Sequence, residues 1–278
     1  MYRILKIKQS EYSKELKTAF DAAEEACKII DEFPEEGFET ERKNDGSKVT
    51  EADRRSQEKI FEIISEKFPS DGFLGEEEHL TPEDEDRVWV IDPIDGTFNF
   101  DSGFNHFCIS IALKIEDEIV VGLVYSPESS LDKTYFAVKG GGSYMTDDSI
   151  EEAEQISVSE KSVLRDSIFF LSLYDIYEGE LEAELQILEE LAKKDCVHRQ
   201  LGSCALEMCK IAAGGAEFQI NPIIREWDYS AAKLIIEEAG GEVRIRDSKF
   251  PGCTEIISSN GLLQEKSERA LGNHFTEN

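Results

Sequence analysis

The feature that most constrains this chain is a short apolar run that leads directly into a loop with two aspartates. Residues 88–91 read Val-Trp-Val-Ile, which is typical of a buried strand because the run is compact and rich in β-branched side chains. The next six residues, 92–97, read Asp-Pro-Ile-Asp-Gly-Thr. We expect the strand to end at Ile91 and Pro93 to brace the loop. The fold must therefore place two carboxylates at the edge of a buried element.

The rest of the chain alternates between helical and strand-like patterns. Apolar residues at helical spacing predict helices, which we place at residues 10–33, 51–68, 180–193, 202–213 and 228–239. Short apolar runs predict further strands, at residues 73–74, 107–115, 119–125, 134–138, 167–173, 196–199 and 216–220. Mixed helices and strands along the full length predict a layered fold of the α/β or α+β class.

Two further segments bear on how the chain is organised. The triplet Gly140-Gly141-Gly142 predicts a hairpin turn rather than a phosphate cradle, because no helix start with a lysine follows it. The segment 147–154 is polar and acidic. We place a boundary there, between an N-terminal α/β lobe at 1–148 and a C-terminal α/β lobe at 149–278.

The charge balance excludes some partners. Asp and Glu number 60 against 30 Lys and Arg, which gives a formal net charge of −30. Such a surface repels nucleic acids and anionic membranes, so we expect neither as a partner. It also repels a phosphorylated ligand. An anion site in this chain therefore needs a local positive field from metal ions or aligned backbone N–H groups.

Cysteine usage and hydropathy predict a cellular compartment. The six cysteines form no C-x-x-C pair, which argues against a zinc site and against a disulfide framework. The start of the chain has no continuous apolar run long enough for a signal peptide, and no stretch approaches the ~18–20 apolar residues of a membrane span. We therefore expect a soluble cytoplasmic protein.

Four acidic residues lie at the edges of predicted buried elements. Glu76 follows a short apolar strand, Asp92 and Asp95 follow the strand described above, and Asp228 lies at the start of a helix. Ligands of open α/β sheets gather outside the carboxyl ends of strands, so these carboxylates could converge. Carboxylates without a His or Cys partner suit Mg²⁺ or Mn²⁺, and a short loop could bridge two ions ~3.5–4 Å apart. From the residues alone, each acid could equally form an ion pair or cap a helix.

Further short motifs accompany these acids in order along the chain. They are Val49-Thr50-Glu51-Ala52-Asp53, Gly75-Glu76-Glu77, the run 89–97, Trp227-Asp228 with Ala231-Ala232, and Glu238-Ala239-Gly240-Gly241. Together they cover roughly residues 10–262, and the combination is much more specific than any one piece. On these motifs the chain resembles the inositol monophosphatase-like family of lithium-sensitive, Mg²⁺-dependent phosphatases.

The resemblance implies a fold, an assembly and a set of metal ligands. We expect an αβαβα five-layer sandwich of two tightly packed lobes, and a homodimer. Two or three Mg²⁺ ions would bind in each active site, held mainly by the N-terminal lobe. Glu76, Asp92 and the carbonyl of Ile94 would hold the first ion. Asp92, Asp95 and Asp228 would hold the second, and a weaker third ion would lie near Glu76.

The resemblance also implies catalytic roles. Gly96 and Thr97 would bind the phosphate through backbone N–H and hydroxyl groups. Asp53 would polarise Thr97, which together with Glu76 would position a water for in-line attack. Positioning and charge neutralisation of this kind supply most of the catalysis in phosphoryl transfer. Lithium would inhibit by replacing the ion of the second site.

Substrate contacts are implied in the same way. Asp95 and the segment Gly202-Ser203-Cys204 would contact the substrate. Asn221 stands where inositol-specific members carry a glutamate, so it would contact the substrate without a negative charge. Arg225, near the same edge, is expected in a surface ion pair rather than at a second phosphate. None of the histidines falls on a catalytic position of the family: His79, His106, His198 and His274.

The expected activity is Mg²⁺-dependent hydrolysis of a small phosphate monoester, with inositol monophosphate as the first substrate to try. Residues 98–100 (Phe-Asn-Phe) resemble the inositol branch more than the nucleotidase branch, which often has lysine at position 98. Fructose-1,6-bisphosphate, NADP, histidinol phosphate and 3′-phosphoadenosine 5′-phosphate are the alternative substrates. A catalytically silent regulator with the same fold is a further alternative, but such a protein has no need of the intact set Glu76, Asp92, Asp95, Thr97 and Asp228.

Overall fold

Helices and strands alternate along the computed structural model, which describes residues 10–33, 40–42, 48–77, 79–80, 86–127, 133–147, 149–173, 180–248 and 252–271. The helices in these ranges are α1 (Ser13–Ile30), α2 (Glu51–Lys67), α3 (Thr97–Asp101), α4 (Glu180–Ala192), α5 (Cys204–Ala212), α6 (Glu226–Glu238) and α7 (Gln264–Leu271). The strands are β1 (Thr40–Arg42), β2 (Lys48–Thr50), β3 (Gly72–Gly75), β4 (His79–Leu80), β5 (Arg87–Asp95), β6 (Cys108–Ile115), β7 (Glu118–Tyr125), β8 (Thr134–Val138), β9 (Gly142–Thr146), β10 (Glu154–Gln155), β11 (Ile168–Leu171), β12 (Val197–Arg199), β13 (Phe218–Ile224), β14 (Glu242–Asp247) and β15 (Thr254–Ser259).

Two large sheets alternate with three layers of helices, and β1 pairs with β2 in a separate two-stranded sheet. Within the described ranges the larger sheet has the strand order β10-β9-β8-β7-β6-β5-β3-β4, and the smaller has the order β12-β11-β13-β15-β14. Helices α1 and α2 pack on one face of the larger sheet, α5 and α6 lie between the two sheets, and α4 and α7 pack against the smaller sheet. The predicted αβαβα sandwich is confirmed. No helix in the described part of the chain is long and apolar enough to cross a membrane.

Strand β5 shows why its sequence is a continuous apolar run. Trp89 and Ile91 belong to the hydrophobic core shared with α1 and α2, whereas Val90 belongs to the core shared with α5 and α6. Successive side chains of a strand point to opposite faces, and here helices cover both faces. Residues 89–91 are therefore buried and Val88 is partly buried, so no polar alternation is left in the run.

The C-terminal end of β5 differs from the prediction. The strand spans Arg87–Asp95 and pairs with β6, with a register shift between Asp92 and Asp95. The prediction that it ends at Ile91 is wrong. Pro93 has no N–H to donate, so the ladder is interrupted locally as a bulge, and the pairing then resumes. Both aspartates therefore lie on the strand rather than in a free loop.

The other predicted elements are present with ends shifted by a few residues, and α6 begins at Glu226, two residues before its predicted start. The elements that sequence analysis missed are β1, β2, β4, β9, β10, β14, β15 and α7. Strand β14 reads Glu-Val-Arg-Ile-Arg-Asp and is largely exposed at the edge of the smaller sheet, so its composition carries little strand signal. The boundary between lobes at 148 and 149 stays a prediction, because residue 148 lies outside the described ranges and β10 continues the larger sheet to Gln155.

The glycine triplet forms the turn between β8 and β9, as predicted. Strands β8 and β9 pair antiparallel, with Val138 opposite Gly142. The N–H groups of Gly140 and Gly142 donate to the carboxylate of Glu238 at 2.6 Å and 2.7 Å. The last residue of α6 therefore accepts the hydrogen bonds that a phosphate cradle would have offered to a ligand.

Helix α6 approaches β7 very closely at Gly122. A Cβ atom on Gly122 would lie 2.5 Å from the carbonyl oxygen of Ala231. Gly122→Ala is expected to lower the free energy of unfolding by about 1–3 kcal/mol, because the helix backbone must move away from the sheet. Denaturant titration measures the change. Gly215→Ala is the matched control, since its Cβ would lie 3.4 Å from the Lys210 carbonyl oxygen, an ordinary contact. Equal losses in the two variants would contradict the close-packing explanation.

Candidate active site

Strands β3 and β5 bring the first predicted ligands to one edge of the larger sheet. The two strands pair in parallel, so their carboxyl ends lie side by side. Glu76 follows β3 directly, and its backbone N–H donates to the carbonyl of Ile91 at 3.1 Å. Gln57 of α2 supports this turn, because its Oε1 accepts a hydrogen bond from Glu77 N at 3.0 Å. A Cβ atom on Gly75 would overlap the Gln57 side chain, so glycine leaves the room that this support needs.

Four carboxylates influence one another at this edge. Asp92 and Asp95 come from β5, Glu76 from the turn after β3, and Asp228 from the first turn of α6. Burial raises the pKa of Asp92 well above its ordinary value, and the charges of the other three acids raise it further. Burial also raises the pKa of Asp228, again with added repulsion from Glu76 and Asp95. Asp92 and Asp95 are buried and Glu76 and Asp228 are half-buried, so the site concentrates negative charge at an edge that solvent reaches only in part.

The chemistry of this group fits hard cations. Positive charge relieves repulsion between buried carboxylates, and oxygen donors without His or Cys suit Mg²⁺. In the described part of the chain, no group of three or more His, Cys, Asp or Glu side chains is arranged so that it could hold a metal ion. Instead the carboxylates accept backbone hydrogen bonds. Asp92 Oδ1 accepts from Ile94 N at 3.0 Å, and Asp228 Oδ2 accepts from Arg225 N at 2.9 Å.

Gly96 determines the turn between β5 and α3. Its φ of +100° is left-handed, a conformation that glycine adopts without strain. A Cβ atom there would lie 3.1 Å from the carbonyl oxygen of His106 and 3.3 Å from that of Gly202. The turn therefore packs tightly against the segment that precedes α5.

Asp53 joins α2 to this turn. Its Oδ2 accepts a hydrogen bond from Thr50 N at 2.8 Å, as part of a capping box at the start of α2. Its Oδ1 accepts from the Thr97 hydroxyl at 3.3 Å, and that hydroxyl also lies 3.1 Å from the carbonyl of Ile94. Burial raises the pKa of Asp53 to about 7, although the hydrogen bonds from Thr50 oppose the rise. The structure thus brings Asp53 and Thr97 into contact.

Asp95 connects the end of β5 to the N-terminal end of α5. Its carboxylate accepts hydrogen bonds from Ser203 Oγ at 2.6 Å, Ala205 N at 2.7 Å and Cys204 N at 3.2 Å. These donors form the N-terminal end of α5, where the helix dipole favours a negative charge. Burial raises the pKa of Asp95, and these hydrogen bonds oppose the rise. Sequence reasoning missed this contact, for which the available signal was a serine at the start of a predicted helix.

The segment before α5 is held from two sides. Asn99 Nδ2 in α3 donates to the carbonyls of Leu201 at 2.8 Å and His106 at 2.7 Å. Glu207 Oε1 accepts from Leu201 N at 2.6 Å and from Gly202 N at 3.3 Å. Burial raises the pKa of Glu207 to about 8, although these backbone hydrogen bonds oppose the rise. Sequence reasoning missed both residues; the available signal for Glu207 was a single acid inside a mostly apolar helix.

Asn221 and Cys204 also meet in the folded chain. Asn221 is buried in β13, and its Nδ2 donates to Cys204 Sγ at 3.7 Å. Gln219 Nε2 donates to the same sulfur at 3.6 Å and to Glu207 Oε2 at 2.9 Å. The structure therefore gathers the predicted substrate contacts beside Asp95, namely Gly202, Ser203, Cys204 and Asn221.

The remaining candidates are more scattered. Arg225 precedes α6, and its guanidinium lies against Gly252, where a Cβ atom would be 2.5 Å from Nη1. Of the histidines whose side chains are described, His198 lies in β12 of the smaller sheet and His106 lies between α3 and β6; the His79 side chain and all of His274 lie outside the described residues.

Known proteins match this chain over nearly its whole length. The profile of the Inositol monophosphatase family matches residues 11–274. The fructose-1,6-bisphosphatase/inositol-1-monophosphatase of Thermotoga maritima is 34% identical over 220 residues, which cover 78% of this chain and 80% of that protein. The histidinol-phosphatase of Chlorobaculum parvum is 32% identical over 270 residues, which cover 93% of this chain and 97% of that protein. The solved structure of an IMPase from Thermotoga maritima superposes with a TM-score of 0.81 at 28% identity, covering 94% of this chain and 98% of that chain.

A layered α/β sandwich that matches phosphatases over this length defines a phosphoric monoester hydrolase. The chain belongs to the inositol monophosphatase family.

The buried carboxyl group of Glu207 gives stability a measurable pH dependence. Its folded-state pKa of about 8 lies above the ordinary 4.5, so between these values the folded chain keeps a proton that the unfolded chain has lost. This group therefore lowers stability as pH rises, by at most ~1.4 kcal/mol per pH unit. Glu207→Gln has no proton to lose at this position.

We expect the unfolding free energy of the wild-type chain to fall, relative to that of Glu207→Gln, from about pH 5 to about pH 8. Denaturant titrations of both proteins at a fixed Mg²⁺ concentration measure the difference. Other titrating groups are common to both chains and cancel. Parallel pH profiles would contradict the raised pKa.

Proposed function

We propose that the chain hydrolyses a small phosphate monoester in a Mg²⁺-dependent reaction, with inositol monophosphate as the first substrate to test. The observation that carries the proposal is the group of buried and half-buried carboxylates at the ends of β3 and β5 and at the start of α6. Divalent cations would relieve their repulsion. The same cations would give a chain of net charge −30 the local positive field that a phosphate ester needs.

The acids divide between two or three ions in this proposal. Glu76, Asp92 and the carbonyl of Ile94 would hold the first ion, and Asp92, Asp95 and Asp228 the second. A weaker third ion would lie near Glu76. When bound, Mg²⁺ would supply charge neutralisation for the phosphoryl group and activation of the attacking water.

Groups of the chain itself would position the reactants. The backbone N–H groups of Gly96 and Thr97 would bind phosphate oxygens. The Thr97 hydroxyl, 3.3 Å from Asp53 Oδ1, would be oriented by that carboxylate. Together with Glu76 it would hold a water in line with the P–O bond that breaks. Such positioning supplies a large part of the rate enhancement in phosphoryl transfer.

The alcohol part of the substrate would contact Asp95, the segment Gly202-Ser203-Cys204 and Asn221. Asn221 is neutral, and two relatives are named for activity on fructose-1,6-bisphosphate and histidinol phosphate. These two esters, NADP and 3′-phosphoadenosine 5′-phosphate are therefore the alternatives to inositol monophosphate. The family resemblance also supports a homodimer in the cytoplasm, as predicted from the sequence.

A phosphate-release assay over these five esters, with and without Mg²⁺, tests the proposal. We expect release from at least one ester, dependent on Mg²⁺. Asp95→Asn should reduce kcat by more than the ~100-fold that changes to outer-shell groups cause, because it removes a proposed ligand charge. Asp21→Asn makes the same chemical change on the exposed surface of α1 and should leave the rate unaltered. Mg²⁺-independent release, or full activity in Asp95→Asn, would refute this mechanism.

Lithium chloride is expected to inhibit phosphate release at millimolar concentrations. The monovalent ion would replace the cation between Asp92, Asp95 and Asp228 without supplying its charge. Titration at constant ionic strength, with sodium chloride as the control salt, measures the effect. Equal rates in the two salts would argue against a lithium-accessible second site.

A further inference from the structure

We propose that Glu207 is a positioning residue for the substrate side of the active site, although it is neither a metal ligand nor a substrate contact. It would act through residues 201–202 and the N-terminal end of α5. The inference rests on the proposed function and extends it to a buried acid that no motif of the family resemblance includes.

The surroundings of Glu207 give the first argument. Glu207 is 1% exposed and lies in the first turn of α5, between the two sheets. Its carboxylate accepts hydrogen bonds from two backbone N–H groups, of Leu201 and Gly202, and from the side-chain amide of Gln219. A buried acid costs free energy unless such hydrogen bonds compensate it. Apolar packing of α5 would be served better by leucine, so the hydrogen bonds are the reason for an acid here.

The first arm of this network leads to Asp95. Glu207 holds the N–H groups of Leu201 and Gly202, while Asn99 holds the carbonyl of Leu201 from the opposite side. Gly202 has a φ of +84°, and a Cβ atom on it would lie 3.0 Å from Asn99 Nδ2. Little freedom is therefore left to this segment. The residues that follow it directly donate the three hydrogen bonds to Asp95, so Glu207 sets where α5 begins relative to that carboxylate.

The second arm leads to Asn221. Glu207 Oε2 accepts from Gln219 Nε2, which also donates to Cys204 Sγ. Asn221 Nδ2 donates to the same sulfur. One carboxylate thus orders the proposed substrate contacts on both α5 and β13.

Glu217 offers a matched control for a purely structural role. It is also a buried acid of the smaller sheet region, and its carboxylate accepts from Ile168 N at 2.7 Å and Ser159 Oγ at 3.2 Å. These partners lie on the segment that leads into β11. Glu217→Leu therefore removes two hydrogen bonds of a buried acid, against three in Glu207→Leu, without touching the segment beside Asp95.

The test is steady-state kinetics at saturating Mg²⁺, with the ester that the wild type hydrolyses fastest. Glu207→Leu removes the acceptor with little change in volume. We expect its KM to rise by about 10-fold or more while kcat changes by less than about 3-fold, because the substrate contacts that Glu207 positions would bind the alcohol equally in the ground and transition states. Glu217→Leu should leave KM within about 3-fold of the wild type.

Glu207→Gln is the rescue variant. Its amide oxygen can still accept from Leu201 N and Gly202 N. Its amide nitrogen takes the place of Oε2, which faces Gln219 Nε2, so the Gln219 amide must flip. It then accepts through Oε1, which has no hydrogen-bond partner among the described residues of the wild-type chain. We expect its KM to lie within about 3-fold of the wild-type value.

The outcomes separate this inference from the proposed function. A wild type without phosphatase activity overturns both. If the wild type is active, three results overturn the positioning role alone. The first is an unchanged KM in Glu207→Leu, and the second is an equal increase of KM in Glu207→Leu and Glu217→Leu. The third is a Glu207→Gln variant that is as impaired as Glu207→Leu. If Glu207→Leu does not fold, Glu207→Asp replaces it, since it keeps the carboxyl group and shortens the reach. Its KM should rise by about 3–10-fold, and an unchanged KM overturns the inference.

Discussion

The hydrogen bonds from the N-terminal end of α5 to Asp95 are the interaction on which the rest of the site depends. Asp95 ends β5 in the larger sheet, whereas Ser203 and Ala205 begin a helix of the middle layer. One carboxylate therefore joins two layers of the sandwich, and it joins proposed metal ligands to proposed substrate contacts. Asn99 and Glu207 keep the segment before α5 in place, so this link has a defined geometry.

Several like charges lie close together at one edge of a sheet, and burying them costs free energy. The raised pKa values of Asp92 and Asp228 show that the folded chain disfavours their charged forms. Proteins retain such groups mainly where function needs them. Hydrogen bonds from the chain orient the acids of the site. The N–H of Thr50 donates to Asp53, and the N–H of Arg225 donates to Asp228. Carboxylates oriented by the fold need little reorganisation when a cation and a substrate bind.

The proposed substrate side has a different character. Asn221, Gln219 and Cys204 form a chain of neutral hydrogen bonds, with the acid Glu207 behind it. Neutral amides donate and accept, so they suit several alcohols rather than one. Relatives named for different phosphate esters fit this view. In our proposal the carboxylate edge determines the reaction, and the groups around Asn221 determine which ester reacts.

Local patterns in the sequence were enough for α1, α2 and the strands from β5 to β8, because side-chain periodicity reports burial within a few residues. The motif acids and the five-layer sandwich were also predicted, the latter through the family resemblance. Sequence reasoning ended β5 too early, because the bulge at Pro93 depends on pairing with β6. Sequence reasoning also missed β14, because its partly exposed and charged residues form a strand only beside β15. The partners of Asp95 lie 108 and 110 residues away along the chain. The sequence by itself thus determined which carboxylates could act, whereas the tertiary structure decided what orients them, because only packing of the layers brings such distant groups within hydrogen-bonding distance.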